Sequence, residues 1–238
     1  MSNISSLTDF IKSYKNKSNL PKIKIYCLTL KDGRRYEKVK QFLEKDFPNN
    51  HEIVFGGIFE KDFVHKVLNK NDKAWNLSMF SKNEDYLQRA YSCAEGHRRI
   101  MQIFLNQNEY DWAIVLEDDF YIKPDIITQL TPIIETNRFD VYHLGHAAWV
   151  RHRNKNTKFI PKGDAIINLT KWGTSTGCYM VNKDFAIKYY KSFLPISNPS
   201  DVQLNKLILA QYKKVPCIDN ISCYMDVDLA LHSEIGGT

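Results

Sequence analysis

The segment from Ala113 to Phe120 limits the fold of this chain more than any other part of its sequence. Four apolar residues, Ala-Ile-Val-Leu, run directly into Glu117, Asp118 and Asp119. Such an apolar run predicts a buried strand, and the abrupt change to acidic residues predicts that its C-terminal end reaches the surface. Open α/β sheets bind their ligands beyond the carboxyl ends of the strands. We therefore predict an α/β fold with a polar site at the end of this strand.

Three adjacent carboxylates at the edge of an apolar core need a compensating partner, because each raises the pKa of the others and burial disfavours their charge. A hard divalent ion, Mn²⁺ or Mg²⁺, meets that need when one or two carboxylates bind it and a substrate diphosphate completes the shell. Alternating side chains assign the ion to Glu117 and Asp119 if the strand extends that far. The alternative is a solvated acidic loop without a ligand, and these residues alone leave both interpretations open.

Alternating strand and helix patterns cover most of the chain and favour a single domain over residues 22–238. Residues 1–21 are predicted to form an amphipathic helix and a linker. Strands are predicted at 22–30, 53–55, 113–116, 140–145, 165–169, 178–181 and 215–218, and helices at 34–47, 84–105, 124–134, 184–193 and 200–208. In the second of these helices His97 falls on the inward face, where a lone histidine is more often a hydrogen-bonded core residue than a catalytic one. Asp32 is predicted to cap the first helix.

Composition excludes several classes of protein. The 238 residues include 33 basic and 27 acidic side chains, and the resulting net charge of +6 suits a small phosphate-bearing substrate. Because the basic residues are dispersed along the chain, we predict no nucleic-acid partner. The five cysteines form no C-x-x-C pair, which predicts reduced thiols in a cytoplasmic or cytosol-like compartment. No apolar run approaches the ~18 residues of a membrane span, so we expect a soluble chain without a transmembrane segment.

Five stretches, in this order, resemble motifs of glycosyltransferase family 25, the group of lipooligosaccharide and procollagen galactosyltransferases. They are Ile-Tyr-Cys-Leu-Thr-Leu-Lys-Asp-Gly-Arg-Arg at 25–35, Ser-Cys-Ala-Glu-Gly-His at 92–97, Val-Leu-Glu-Asp-Asp-Phe at 115–120, a Gly-Thr to Tyr stretch at 173–179 and Pro-Ser-Asp at 199–201. Thr29 stands where the family usually has Asn, and Ser92 and Gly96 depart from its Gly-Cys-x-x-Ser-His pattern. The resemblance extends over most of the chain from Lys24 onward.

This resemblance implies a glycosyltransferase A fold, a Rossmann-like and mostly parallel mixed sheet with helices on both faces. It also implies an inverting, metal-dependent transfer of a hexose, galactose or glucose, from a UDP-sugar to a hydroxyl of a glycan or protein acceptor. The residue roles that it implies are donor binding by Thr29, Leu30, Arg34, Arg35, His97, Glu117, Asp118, Gly173 and Thr174, metal binding by Glu117, Asp119 and His232, and general-base catalysis by Asp201.

Two functions from other classes compete with this interpretation. The same carboxylates would serve a metal-dependent phosphohydrolase or nucleotidyltransferase, which needs no sugar acceptor. The departures at Ser92 and Gly96 would instead suit a degenerate, non-catalytic domain that binds a glycan or a protein.

Overall fold

The structure of the protein is a computed structural model that describes residues 21–31, 33–56, 84–135, 139–144, 176–193, 199–212, 216–218 and 223–225. In chain order the elements are β1 (Ile23–Leu30), α1 (Tyr36–Asp46), β2 (His51–Gly56), α2 (Glu84–Asn106), β3 (Trp112–Glu117), β4 (Phe120–Ile122), α3 (Ile126–Glu135), β5 (Val141–Leu144), β6 (Cys178–Asn182), α4 (Lys183–Ser192), α5 (Ser200–Tyr212), β7 (Cys217–Ile218) and β8 (Cys223–Met225). Strands and helices alternate through much of this order, as the sequence patterns predict.

Six strands form one mixed sheet in the order β2-β1-β3-β6-β5-β7, and β4 pairs with β8 in a separate antiparallel ribbon. Neighbours β2 and β1, β1 and β3, and β5 and β7 run parallel, whereas β6 runs antiparallel to both β3 and β5. The predicted α/β class with a mostly parallel sheet is therefore confirmed.

Helices cover both faces of this sheet because the apolar side chains of its strands point alternately to either side. In β3, Ile114 and Leu116 pack with α1 and α3 on one face, and Ala113 and Val115 pack with α2, α4 and α5 on the other. Each fully buried Ile, Leu or Val side chain contributes about 1.5–3 kcal/mol to stability. With apolar residues on both faces, β3 is fixed at the centre of the core.

The strand pairing brings three chain segments to one edge of the sheet, which we call the carboxyl edge. Leu28 of β1 lies opposite Glu117 of β3, so the two parallel strands end side by side. Antiparallel β6 begins there, with Cys178 opposite Leu116. The residues that follow β1 and β3 and those that precede β6 therefore meet at this edge.

Several element boundaries differ from the sequence predictions. Arg35 occupies the N-cap position of α1 and makes no side-chain capping bond, and Asp32, the predicted cap, lies outside the described residues. The ribbon of β4 and β8 was not predicted, because strands of three residues carry too little periodicity to be recognised. The predicted strand at 165–169 and the predicted helix within residues 1–21 lie outside the described residues, so the proposed domain limits stay a prediction.

Among the helices of the described ranges, none combines the length and apolar character that crossing a membrane requires.

At the opposite edge of the sheet, Asp140 joins three elements through its carboxylate. It accepts hydrogen bonds from Asn182 Nδ2 (2.8 Å), Gln211 Nε2 (3.0 Å) and Tyr212 OH (2.7 Å). Burial acts to raise the pKa of Asp140, but these three donors outweigh it and hold the pKa below its usual value.

Asp140→Asn should therefore lower the free energy of unfolding by about 1–3 kcal/mol near neutral pH, because an amide replaces an ionised acceptor. A carboxyl group whose pKa is depressed by folding stabilises the protein above its unfolded-state pKa of about 3.9, and that contribution is lost as the pH falls through the lower folded-state value. Urea unfolding of both proteins at a series of pH values should show their difference shrinking in acid. A difference that stays constant with pH would contradict this account.

Candidate active site

Glu117, the last residue of β3, is the centre of a partly buried polar cluster at the carboxyl edge. Its Oε1 accepts a hydrogen bond from Thr176 Oγ1 (2.5 Å) and lies 3.1 Å from His97 Nε2 and 3.9 Å from Cys93 Sγ. Ser200 Oγ lies 2.8 Å from Thr176 Oγ1 and 3.6 Å from Cys93 Sγ. We call these five residues the Glu117 cluster.

The cluster favours the ionised form of Glu117. Burial acts to raise its pKa, but the hydrogen bonds from His97 and Thr176 and the positive charge of Arg35 outweigh burial, so the pKa lies below its usual value. The backbone N–H of Glu117 also donates to Gly177 O (2.8 Å), which fixes the end of β3 against the start of β6. Glu117 therefore stays negatively charged in a rigid setting.

Helix α2 contributes two members of the cluster from one face, since Cys93 and His97 are one turn apart. His97 is fully buried, and its Nδ1 lies 2.9 Å from Tyr179 OH. The sequence left open whether His97 is a core residue or part of the site, and the structure shows it to be a buried, hydrogen-bonded residue of the Glu117 cluster. Direct donor binding by His97 stays a prediction.

Cys93, Thr176 and Ser200 are the members that sequence reasoning did not propose as site residues. Thr176 and Ser200 are buried, at 3% and 4% exposure, and both lie in stretches that the resemblance singled out, 173–179 and 199–201. Their hydroxyl groups were the available signal, because Ser and Thr that flank a strand or helix end at a sheet edge often donate to a nearby carboxylate. The predicted donor contacts Gly173 and Thr174 lie outside the described residues, as does the predicted metal ligand His232.

Asp118, the next acidic residue, turns away from this cluster. Its Oδ2 accepts from Thr29 Oγ1 (2.8 Å) and its Oδ1 from Arg35 Nη1 (2.7 Å). Burial raises the pKa of Asp118 although both donors act in the opposite direction. These contacts join the end of β1, the start of α1 and the acidic segment. Of the other predicted donor-binding residues at this turn, Arg34 is exposed and Leu30 is half-buried. Roles of these residues in donor binding stay predictions.

Asp119 carries a buried carboxylate oxygen, Oδ1, that no group in the described residues contacts by a hydrogen bond. Burial, followed by the negative charge of Glu117, raises the pKa of Asp119 to about 7, although the charge of Arg35 opposes the shift. A buried oxygen without a hydrogen bond lowers the stability of the fold by about 1–3 kcal/mol, unless a cation or a donor group binds to it.

Asp201 approaches the same site from α5, whose first residue is Ser200. Its Oδ1 accepts from the backbone N–H of Val202 (2.8 Å). Burial raises the pKa of Asp201, and the charge of Glu117 raises it further, against the N–H bond. The structure thus brings the predicted base near the predicted metal-binding carboxylates.

Gly177 separates Thr176 from β6 and has no room for a side chain. A Cβ atom on this residue would lie 1.9 Å from a ring carbon of Phe120, which is buried and directly follows Asp119. Gly177→Ala should therefore displace the Phe120 ring and lower the free energy of unfolding by about 1–3 kcal/mol or more. Denaturant unfolding measures this change.

Gly56→Ala is the matched control, because a Cβ there would lie 3.6 Å from its nearest neighbour, an ordinary contact. If the two alanine variants were equally stable, the close approach of Gly177 to Phe120 would not be a constraint of the fold.

Comparison with known proteins gives no family assignment, since neither a family model nor a curated protein matches the chain. Solved structures of glycosyltransferases do resemble it. One is involved in the glycosylation of the major capsid of PBCV-1 (14% identity, 84% of this chain and 82% of that one, TM-score 0.41). Another is the galactosyltransferase LgtC in complex with donor and acceptor sugar analogues (14% identity, 82% of this chain and 72% of that one, TM-score 0.39). A third is mouse xyloside xylosyltransferase 1 (14% identity, 85% of this chain and 84% of that one, TM-score 0.42).

Every one of these TM-scores is below 0.5, so the likenesses assign no activity to the chain and locate none of its site residues. The resemblance to family 25 stays a prediction.

Proposed function

We propose that this chain is a metal-dependent, inverting glycosyltransferase that moves a hexose, galactose or glucose, from a UDP-sugar to a hydroxyl of a glycan or protein acceptor. The observation that carries the proposal is the carboxylate of Asp119, whose Oδ1 is buried without a hydrogen-bond partner among the described residues at the carboxyl edge of an α/β sheet. The order of the five family-like motifs supports the reaction class.

A divalent ion fits Asp119 on chemical grounds. Oxygen ligands suit Mn²⁺ and Mg²⁺, and the buried Oδ1 lies two residues from Glu117, which the Glu117 cluster keeps ionised. The proposed ligands are Glu117, Asp119 and, from outside the described residues, His232. An ion held there would neutralise the charge that develops on the leaving nucleoside diphosphate.

The acceptor side needs a base that is separate from the metal ligands, because a carboxylate that neutralises an ion accepts a proton poorly. Asp201 meets this requirement. Burial and the charge of Glu117 raise its pKa, which makes it a stronger base than an exposed aspartate. In the proposed reaction Asp201 takes the proton of the acceptor hydroxyl as that oxygen attacks the anomeric carbon and the bond to UDP breaks.

A thermal-shift experiment with UDP, GDP, UDP-glucose and UDP-galactose, each with and without Mn²⁺, tests the donor site. A ligand at one hundred times its Kd stabilises the folded state by about 2.7 kcal/mol. We expect this gain from uridine nucleotides only when Mn²⁺ is present, and its reversal by a chelator. If no nucleotide raised the melting temperature with metal, the proposed donor site would be wrong.

Donor hydrolysis then separates the enzyme classes, since slow hydrolysis requires no knowledge of the acceptor. A glycosyltransferase should release UDP and free sugar from one UDP-hexose. Release of UMP or inorganic phosphate would indicate a phosphohydrolase or nucleotidyltransferase, and nucleotide binding without turnover would indicate a non-catalytic domain.

A further inference from the structure

Three different ligand groups of the Glu117 cluster converge on one point. Cys93 Sγ, His97 Nε2 and a carboxylate oxygen of Glu117 all lie within 4.8 Å of one another. Two of them come from one face of α2 and the third from the end of β3, which are both parts of the packed core. Their positions are therefore held by the fold and do not depend on a flexible loop.

Two of the three separations lie close to those around a tetrahedral zinc ion. Zn²⁺ bonds of about 2.0–2.3 Å at tetrahedral angles place neighbouring ligand atoms roughly 3.3–3.6 Å apart. Glu117 Oε1 lies 3.1 Å from His97 Nε2 and 3.9 Å from Cys93 Sγ. The third pair, Cys93 Sγ and His97 Nε2, lies within 4.8 Å, so side-chain adjustments would bring the three atoms to coordination distance from one ion.

His97 is oriented as a metal-binding histidine would be. Its Nδ1 lies 2.9 Å from Tyr179 OH, which itself is fully buried. A partner at one ring nitrogen fixes the imidazole plane and directs the lone pair of the other nitrogen at the ion, as partners beyond the direct ligands do in many zinc sites. When the ion binds, Nδ1 donates to the Tyr179 oxygen, and Nε2 exchanges its hydrogen bond with Glu117 for a bond to the ion.

The donor set also selects the kind of metal. Thiolate and imidazole favour zinc, whereas Mn²⁺ and Mg²⁺ prefer oxygen. One thiolate and one carboxylate balance the charge of Zn²⁺, so the occupied site would be neutral, as a buried site requires. The side chain of Glu117 is 21% exposed and Cys93 is half-buried, so an ion can reach them.

We propose that Cys93, His97 and Glu117 supply three ligands of a tetrahedral zinc site, with water as the fourth, and that this site is distinct from the site for Mn²⁺ or Mg²⁺ proposed at Asp119. Glu117 contributes Oε1 here, and its second oxygen, Oε2, would serve the ion proposed at Asp119. Zinc binding displaces the thiol proton of Cys93 to solvent and forms the Zn–S bond. The inference does not require the chain to be a glycosyltransferase, because the geometry of these three residues alone carries it.

Titration of the metal-stripped, full-length protein with Zn²⁺ and Co²⁺ tests the site without nucleotide. We expect one equivalent of Co²⁺ to give the visible bands of tetrahedral cobalt and a thiolate-to-metal absorption, and excess Mn²⁺ not to remove them.

Cys93→Ser should weaken Zn²⁺ binding by at least ~100-fold, more than the 10–100-fold typical of partners beyond the direct ligands.

Two variants serve as matched controls. Cys217→Ala removes another buried cysteine outside the cluster and should keep zinc binding, and so should Asp119→Asn. If Asp119→Asn lost Mn²⁺-dependent nucleotide binding but kept zinc binding, the two proposals would be separated. If Cys93→Ser did not fold, zinc-dependent protection of Cys93 from alkylation in the wild-type protein would decide the matter. Absence of stoichiometric zinc binding, or its retention in Cys93→Ser, would overturn the proposal.

Discussion

Asp201→Asn should reduce the rate of sugar transfer by at least ~100-fold, while the affinities for Mn²⁺ and for the UDP-sugar stay nearly unchanged. Loss of a general base typically costs 10²–10⁴-fold in rate, and the amide of Asn cannot accept the acceptor's proton. The substitution keeps the shape of the side chain and its bond to the N–H of Val202. Steady-state kinetics should therefore show a lower kcat with little change in KM for the donor.

Asp184→Asn is the matched control for this experiment. Asp184 is the second residue of α4, as Asp201 is the second residue of α5, and both carboxylates lie in the first turn of their helix. Each favours the helix dipole by about 0.3–1 kcal/mol. Asp184 follows the end of β6 that lies opposite Trp112, far from the carboxyl edge. If Asp201→Asn kept most of the transfer rate, like Asp184→Asn, Asp201 would have only a structural role.

The position of the Glu117 cluster could be predicted from the sequence, because the change from apolar to acidic residues marks the end of β3. Residues 112–116 are buried and Glu117 is the first partly exposed residue of β3, as the change from apolar to acidic residues indicates. The mostly parallel arrangement followed from the alternation of strands and helices. Together these features were enough to place a polar site at the carboxyl edge.

The different contacts of the three carboxylates could not be predicted from the sequence. The assignment of Glu117 and Asp119 to one metal assumed that alternation continues past β3, but the strand ends at Glu117 and a turn covers residues 118–119. Each side chain therefore takes its direction from its partners. Glu117 contacts His97 and the rest of its cluster, Asp118 accepts a hydrogen bond from Arg35, and Asp119 has a buried oxygen with no partner in the described ranges.

The partners of Glu117 were equally hidden, because contacts across long sequence separations leave no local pattern. Thr176 lies 59 positions from Glu117 along the chain and Cys93 lies 24 positions away. Sequence resemblance drew attention to the stretches that hold Thr176 and Ser200, yet only the antiparallel insertion of β6 and the packing of α5 explain why their hydroxyls reach the end of β3.

Asp119→Asn should weaken Mn²⁺-dependent binding of UDP by at least ~100-fold, the loss expected when a charged metal ligand becomes a neutral amide. The same substitution should not lower the stability of the metal-free protein. Burial and the charge of Glu117 disfavour the ionised form of Asp119. A neutral side chain of the same shape therefore removes the free-energy cost of a buried negative charge. Binding calorimetry with UDP and Mn²⁺, together with urea unfolding in a chelator, measures both effects.

Asp125→Asn controls for the loss of one negative charge, because Asp125 is exposed and bonds to Gln129 Nε2 (2.8 Å) on the surface. It should bind UDP and Mn²⁺ as the wild type does. The combination of lost nucleotide binding and retained stability is expected of a functional ligand and not of a structural residue, whose removal would lower both. Unchanged UDP affinity in Asp119→Asn with Mn²⁺ present would show that the ion, if bound, is held by other residues.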